Sequence, residues 1–264
     1  MTAIIGYTGR AFLTGTHAFL AVCSLIVDTL FWLVVAPLRG KGLRVRAAVD
    51  QFVRVGYDSL PIVMLITFLL GAILAMQSAH QLSSFGVMYL VPDLVAVAAV
   101  RELAPLMTAI LITGRSGSAF TAEIGTMKVS EEIDALEVMG LSPTKYLVVP
   151  KFIGTTLAVP MVTMVGTFTM ILGGFIISAT YLGQDARVYL ESSADAITMK
   201  DFANGFTKSV FFAVVICMVG VYRGFEVEGG AEGVGKKTTS SVVTSMFLIV
   251  VVDVVFTYLF FSTS

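Results

Sequence analysis

Cysteine and histidine are almost missing from this chain, with two of each among 264 residues. His17 and His80 stand far apart and have no cysteine beside them, so no zinc-type ligand set is on offer. Cys23 and Cys217 each sit in an apolar run, where an isolated thiol behaves as a small core residue; two such residues make no disulfide framework. Charge is scarce as well. Asp, Glu, Lys and Arg supply 13% of the residues, against about 25% in soluble domains. The formal net charge of −1 gives a nucleic acid little to bind. The period-two alternation of a membrane β-barrel is lacking. So are an internal repeat, a low-complexity tract and the basic-then-apolar start of a cleavable signal.

What is present is apolar: 56% of the residues, in several uncharged runs of roughly 20, the length that crosses a bilayer. The composition predicts an all-α integral membrane protein. Five spans are expected, at residues 59–79, 88–112, 155–182, 206–222 and 242–261. The third is rich in small residues (Gly166, Gly173, Gly174, Ser178) that permit close helix contact. A further apolar stretch, 18–37, carries only Asp28; it either spans or lies along the interface. The whole of 1–264 reads as one domain, with 1–40 as an N-terminal helical segment and 41–264 as the transmembrane core.

Lys and Arg gather before the first span (Arg39, Lys41, Arg44, Arg46, Arg54), around the connection between the second and third (Arg115, Lys128, Lys145, Lys151), and between the fourth and fifth (Arg223, Lys236, Lys237). With five spans these regions share one side, and the positive-inside rule makes it cytoplasmic. The C-terminus then ends outside.

Residues 114–143 form a polar island in that apolar chain. Within it Ser130 is placed to cap a short helix, and Glu131, Glu132, Asp134 and Glu137 make it acidic. Val129, Ile133, Leu136 and Gly140 recur on one side. Gly140 suits a left-handed terminus, and Pro143 blocks continuation. Such a helix is either an ordinary solvated loop helix or a docking element for a soluble partner.

Arg101, Glu102, Lys208 and Asp253 lie in or near the apolar spans, where a charge costs at least ~2.5 kcal/mol. They either fix helix packing or line a substrate path. Neighbours on a helix point about 100° apart, so Arg101 and Glu102 each need a partner elsewhere. Lys208, near a span end, is free to snorkel. Pro105 should kink its helix by removing the bond to the Arg101 carbonyl. Gly230 to Thr238 nearly spells a phosphate-binding loop, but Lys237 stands where Ser or Thr is needed and no strand precedes it. A flexible turn is expected there, and any ATP hydrolysis needs a second polypeptide. No nucleophile–base or metal constellation marks the chain as an enzyme.

Several of these segments together resemble one family. They are Arg101-Glu102-Leu103-Ala104-Pro105, Gly114-Arg115-Ser116-Gly117-Ser118-Ala119, Glu123-Ile124-Gly125-Thr126-Met127-Lys128 and Ile133-Asp134-Ala135-Leu136-Glu137-Val138-Met139-Gly140, with Lys208-Ser209, Glu232-Gly233-Val234-Gly235 and Asp253. The chain resembles the MlaE (YrbE-type) permeases from about residue 45 to its end. That resemblance implies the membrane subunit of an ABC-type phospholipid transporter in the bacterial inner membrane. Such a system moves lipid between the inner membrane and periplasmic or outer-membrane components and maintains lipid asymmetry. It further implies a homodimer, a cytoplasmic ATPase subunit holding the ATP and magnesium (no cofactor in this chain), an extracytoplasmic MCE-domain partner and an accompanying STAS-domain protein. An N-terminal interfacial helix followed by five spans is the family's architecture, which selects the interfacial reading for 18–37. The helix 130–139 becomes the ATPase coupling helix, with Ser130, Glu131, Glu132, Ile133, Asp134, Leu136, Glu137 and Met139 as its residues. Arg101, Glu102, Lys208 and Asp253 become the polar residues of the lipid path. Leu70, Leu74, Gln77 and Ser78 are added as pocket wall from their position alone. The rival reading is an ion-coupled transporter or channel that uses Glu102 and Asp253 as proton sites; a further rival is a membrane scaffold.

Overall fold

Helix after helix forms in the computed structural model, which describes residues 20–35 and 44–263, with no strand among them. They are α1 (Leu20–Val35), α2 (Val45–Val55), α3 (Leu60–Ser83), α4 (Met88–Val129), α5 (Glu132–Val138), α6 (Thr144–Thr180), α7 (Ala186–Ala196), α8 (Met199–Phe225) and α9 (Gly230–Thr263). Five stretches are long and apolar enough to cross a membrane: α2 with α3, α4, α6, α8, and α9 as far as Phe260. Helix α1, at about 24 Å, is shorter than the ~30 Å hydrocarbon core. Residues 1–19 and 36–43, including His17, Arg39, Lys41 and the two ends of the expected 18–37 segment, lie outside the described residues.

The helices outrun the spans expected from apolarity. The second does not end at Ile112 but continues to Val129, about 63 Å in all, so half of the polar island is a helical extension. Apolarity marks only the part that needs lipid; the extension is held by packing instead. Its Phe120, Thr121, Ile124 and Gly125 are buried, and the Thr121 hydroxyl donates to the Gly220 carbonyl of α8 at 2.8 Å. Nor is the near-miss phosphate loop a flexible turn. Gly229 and Gly230 take left-handed backbone (φ 83° and 73°), and from Gly230 onward the segment is helix.

Small residues set the packing of α3 on α6. A β-carbon at Gly173 would fall 2.0 Å from the Phe68 carbonyl oxygen, and the Thr67 and Thr169 hydroxyls share a hydrogen bond of 2.6 Å. Gly166, Gly173, Gly174 and Ser178 are all buried, as their spacing predicts.

Polar contacts tie the helix ends together. At one end Arg115 donates to the Arg54 carbonyl (2.9 Å) and the Ser59 hydroxyl (2.8 Å), and pairs with Asp58 (3.2 Å), which fixes the elbow between α2 and α3. Buried Lys151 pairs with Glu123 at 2.8 Å. Between α8 and α9, burial pushes the Glu226 carboxyl up, but donors from Tyr222, Lys237 and Arg223 outweigh it and hold the group below the usual carboxylate range. At the other end Gln184 donates to the Met88 carbonyl at 2.8 Å.

Candidate functional site

Two places concentrate the chemistry, and the first is a charge network inside the bundle. Its foundation is the start of α8. Thr198 and Asp201 form a capping box: the Thr198 hydroxyl accepts from the Asp201 amide, and Asp201 Oδ2 accepts from the Thr198 amide at 2.9 Å. That leaves Asp201 Oδ1 to accept from Arg101 Nε. Seven residues on, on the same face, is Lys208. It is fully buried, so of the two roles open to it, snorkelling to the surface is not the one it takes. Its Nζ donates to Glu102 Oε2 at 2.6 Å and to Thr257 Oγ1 at 2.8 Å, and pairs with Asp253 Oδ1 at 2.9 Å. The Thr257 hydroxyl closes the ring by donating to Glu102 Oε1 at 2.9 Å.

Local backbone makes these reaches possible. Where a kink was expected before Pro105, the chain forms a π-turn, Ala99–Leu103. The Ala104 amide bonds the Ala99 carbonyl, five residues back, and that wider turn accommodates the missing proline donor. Consecutive residues Arg101 and Glu102 thereby meet Asp201 and Lys208, two turns apart on α8. Between them the backbones touch: a β-carbon at Gly205 would lie 2.2 Å from the Val100 carbonyl oxygen. Any side chain there would push α8 off α4 and stretch both ion pairs.

The network opens sideways. Glu102, Asp253, Val254, Thr257 and Tyr258 line a groove of about 530 Å³, mainly apolar in surface but taking in the two carboxylates. Leu70, Leu74, Gln77 and Ser78 are not among its lining residues. Leu74 packs instead against Ala75, Ala79, Val91 and Val95, Ser78 is buried and Gln77 exposed. Asp201 was missed by sequence reasoning, although Thr-x-x-Asp before an apolar run is a recognisable capping signal.

The second place is α5. Ser130 is not its cap. Ser130 ends α4, bonds back to the Thr126 carbonyl at 3.0 Å and touches Glu132 Oε1 at 3.0 Å. The chain turns through Glu131 in left-handed backbone, φ 60°. At the other end Gly140 (φ 73°) completes a Schellman motif: its amide bonds the Glu137 carbonyl, and the Leu141 amide bonds that of Leu136. Ile133 and Leu136 are buried in one cluster with Ile124, Leu147, Val148 and Cys217, against which Val22, Leu25, Ile26 and Leu33 of α1 also pack. Val129 and Gly140, expected on the same apolar side, are exposed. Outward face Glu131, Glu132, Asp134 and Glu137, with Val138 (89% exposed) and Met139 (64%) at the tip. A short acidic helix with an apolar tip, rooted in the bundle core, can pass a push from a partner into the spans.

Comparison with known proteins bears on both places. The family model described as Permease MlaE matches residues 48–259. A probable ABC transporter permease protein of Rickettsia prowazekii is 32% identical over 252 residues, 95% of this chain and 97% of that one. One from Synechocystis is 35% identical over 216 residues, 82% of each chain. The Arabidopsis thaliana chloroplast protein named trigalactosyldiacylglycerol 1 is 33% identical over 228 residues, 86% of this chain and 65% of that protein. Charge network and surface helix fall within the matched region, as do the five spans but for a few residues at its two ends, and the chain belongs to the MlaE permease family.

Proposed function

We propose that this chain is the membrane subunit of an ATP-driven phospholipid transporter, working as a homodimer in a bacterial inner membrane. The observation that carries the reading is the groove in which a buried charge network meets an apolar wall: Glu102, Asp253 and Thr257 beside Val254 and Tyr258. A phospholipid has the same two-part chemistry. Arg101 gives only Nε to Asp201, which leaves two guanidinium amino groups for a phosphate. The exposed valines and Tyr258 of α9 suit acyl chains held between two copies. The Arabidopsis relative is named after a diacylglycerol-based galactolipid, which supports a two-chain lipid as cargo, though not the phosphate.

ATP binding on a separate cytoplasmic ATPase moves α5 as a rigid body. The Ile133–Leu136 root carries that motion into α4, α6 and α8, and the groove changes between two packings. An MCE-domain protein on the outer face receives or delivers the lipid, and a STAS-domain protein sits with the ATPase. The work is done by differential packing, not by chemistry in this chain.

The test is reconstitution of the assembled complex in vesicles with a labelled phospholipid. Arg101→Ala and Glu102→Ala should each abolish ATP-dependent lipid movement while the complex still assembles on gel filtration. Transport that survives both substitutions would reduce the network to a structural ion-pair set.

A further inference from the structure

At the end of the bundle that carries α5, Arg44, Arg46 and Lys145 have no carboxylate within ion-pair distance among the described residues. Two of them rest on aromatic rings. The Arg44 guanidinium lies over Tyr146, 3.7 Å from the ring centroid, and Nη1 donates to the Tyr146 carbonyl at 3.3 Å. Lys145 Nζ is 5.5 Å from the centroid of Trp32. Three elements converge here: α1 through Trp32, the π-turn that opens α6 through Lys145 and Tyr146, and the start of α2. Tyr and Trp rings settle at the headgroup level of a bilayer, with basic side chains beside them.

The same corner has an apolar side. Val45, Val49 and Val53 recur every fourth residue along α2 and are 64%, 53% and 45% exposed. The helix cannot roll to hide them. A neighbouring face, with Ala48 and Val55, is buried, and a β-carbon at Gly154 of α6 would lie only 2.8 Å from the Phe52 amide nitrogen. Next to the stripe, Arg44, Val45, Arg46, Ala47 and Asp50 line an open groove of about 600 Å³. Because α2 runs through the elbow into membrane-spanning α3, the stripe lies at the bilayer surface. An amphipathic helix in that place buries its apolar side in the headgroup–acyl boundary and draws anionic lipid with its cations. Arg44 and Arg46 against Asp50 in the groove lining, with Lys145 next in chain to the ring that Arg44 covers, make the complement an anion with a hydrocarbon tail.

We infer that this corner is a docking site for an anionic phospholipid of the surrounding bilayer, a resident lipid separate from any cargo. Arg44, Arg46 and Lys145 hold the phosphodiester, and the acyl chains lie along Val45, Val49 and Val53. The inference needs only the five-span membrane fold and stands apart from the cargo proposed above.

Native mass spectrometry of the delipidated full-length complex, titrated with phosphatidylglycerol or phosphatidylcholine, tests it. The double variant Arg46→Gln/Lys145→Gln keeps the Arg44–Tyr146 bond and so spares the π-turn. It should bind phosphatidylglycerol about thirtyfold more weakly and phosphatidylcholine unchanged, while Arg46→Lys/Lys145→Arg restores the native value. Equal phosphatidylglycerol binding in the native and double-Gln proteins would overturn the site, as would equal binding after Arg44→Gln is added. Displacement of the lipid by millimolar inorganic phosphate would also overturn it, since a general anion site would then explain the binding.

Discussion

Lys208 places one fully buried positive charge between two partly exposed carboxylates, and that makes the three residues unequal under mutation. Removing Glu102 by Glu102→Gln leaves Lys208 with Asp253 and Thr257. Removing Lys208 leaves two carboxylates facing each other, and stranding a buried charge costs roughly 3–5 kcal/mol. Thermal unfolding of the purified protein should therefore show Lys208→Met as clearly the less stable of the two single variants. Adding Glu102→Gln and Asp253→Asn to Lys208→Met should recover most of the loss, because the orphaned charges are gone, yet lipid transport should stay absent. Equal stability for the two single variants would mean that water reaches the network. In the sequence, the need of Arg101 and Glu102 for partners on other helices was legible from helical geometry. Their identity was not, because Arg101 and Asp201 are a hundred residues apart and the burial of Lys208 depends on where Glu102, Asp253 and Thr257 converge.

Among the elements, α5 shows how far local pattern carries. Its acidity, its brevity and the glycine stop at Gly140 were readable, because each depends on residues within one or two turns. Its start is not legible locally, because Ser130 and Glu131 have the pattern of a cap followed by a helix. The extension of α4, invisible to hydropathy, consumes Ser130 and forces the turn onto Glu131. If α5 is where the ATPase docks, charge reversal of the outward residues should break the contact without unfolding the helix. Glu131→Lys/Glu132→Lys/Asp134→Lys should lose most of the ATPase subunit on affinity purification, while circular dichroism is unchanged. Val138→Asp should weaken it as well, since Val138 is the most exposed apolar side chain of the tip. Full co-purification of all four substitutions would assign α5 to the ordinary solvated loop. Gly140→Val makes a useful contrast. It attacks the Schellman stop, where a β-branched residue in left-handed backbone costs about 1–2 kcal/mol, and should loosen α5 from Ile133 and Leu136 outward.

At the scale of the whole molecule the question is which end faces the cytoplasm. Arg44, Arg46, Arg54, Arg115, Lys128, Lys145, Lys151, Arg223, Lys236 and Lys237 lie at the ends of helices that the contacts Arg115–Asp58, Lys151–Glu123, Arg44–Tyr146 and Lys237–Glu226 bind together. The opposite loops offer Arg187 and Lys200. The positive-inside bias predicts α5 in the cytoplasm, and α7 and the C-terminal end of α9 outside. The same orientation is required by the proposed mechanism, since an ATP-driven partner must reach α5. Cysteine labelling decides it. Cys217 is buried and Cys23 only partly exposed, so a Cys23→Ser background carries little reactive thiol. Two exposed positions then report the two ends: Met139 (64% exposed) beside α5 and Tyr181 (75%) just past α6. In right-side-out vesicles, a membrane-impermeant maleimide should label Tyr181→Cys at once and Met139→Cys only after permeabilisation. The reverse pattern would put the acidic helix outside the cell, beyond the reach of any ATPase, and with it would go the reading of α5 as the handle that moves the groove.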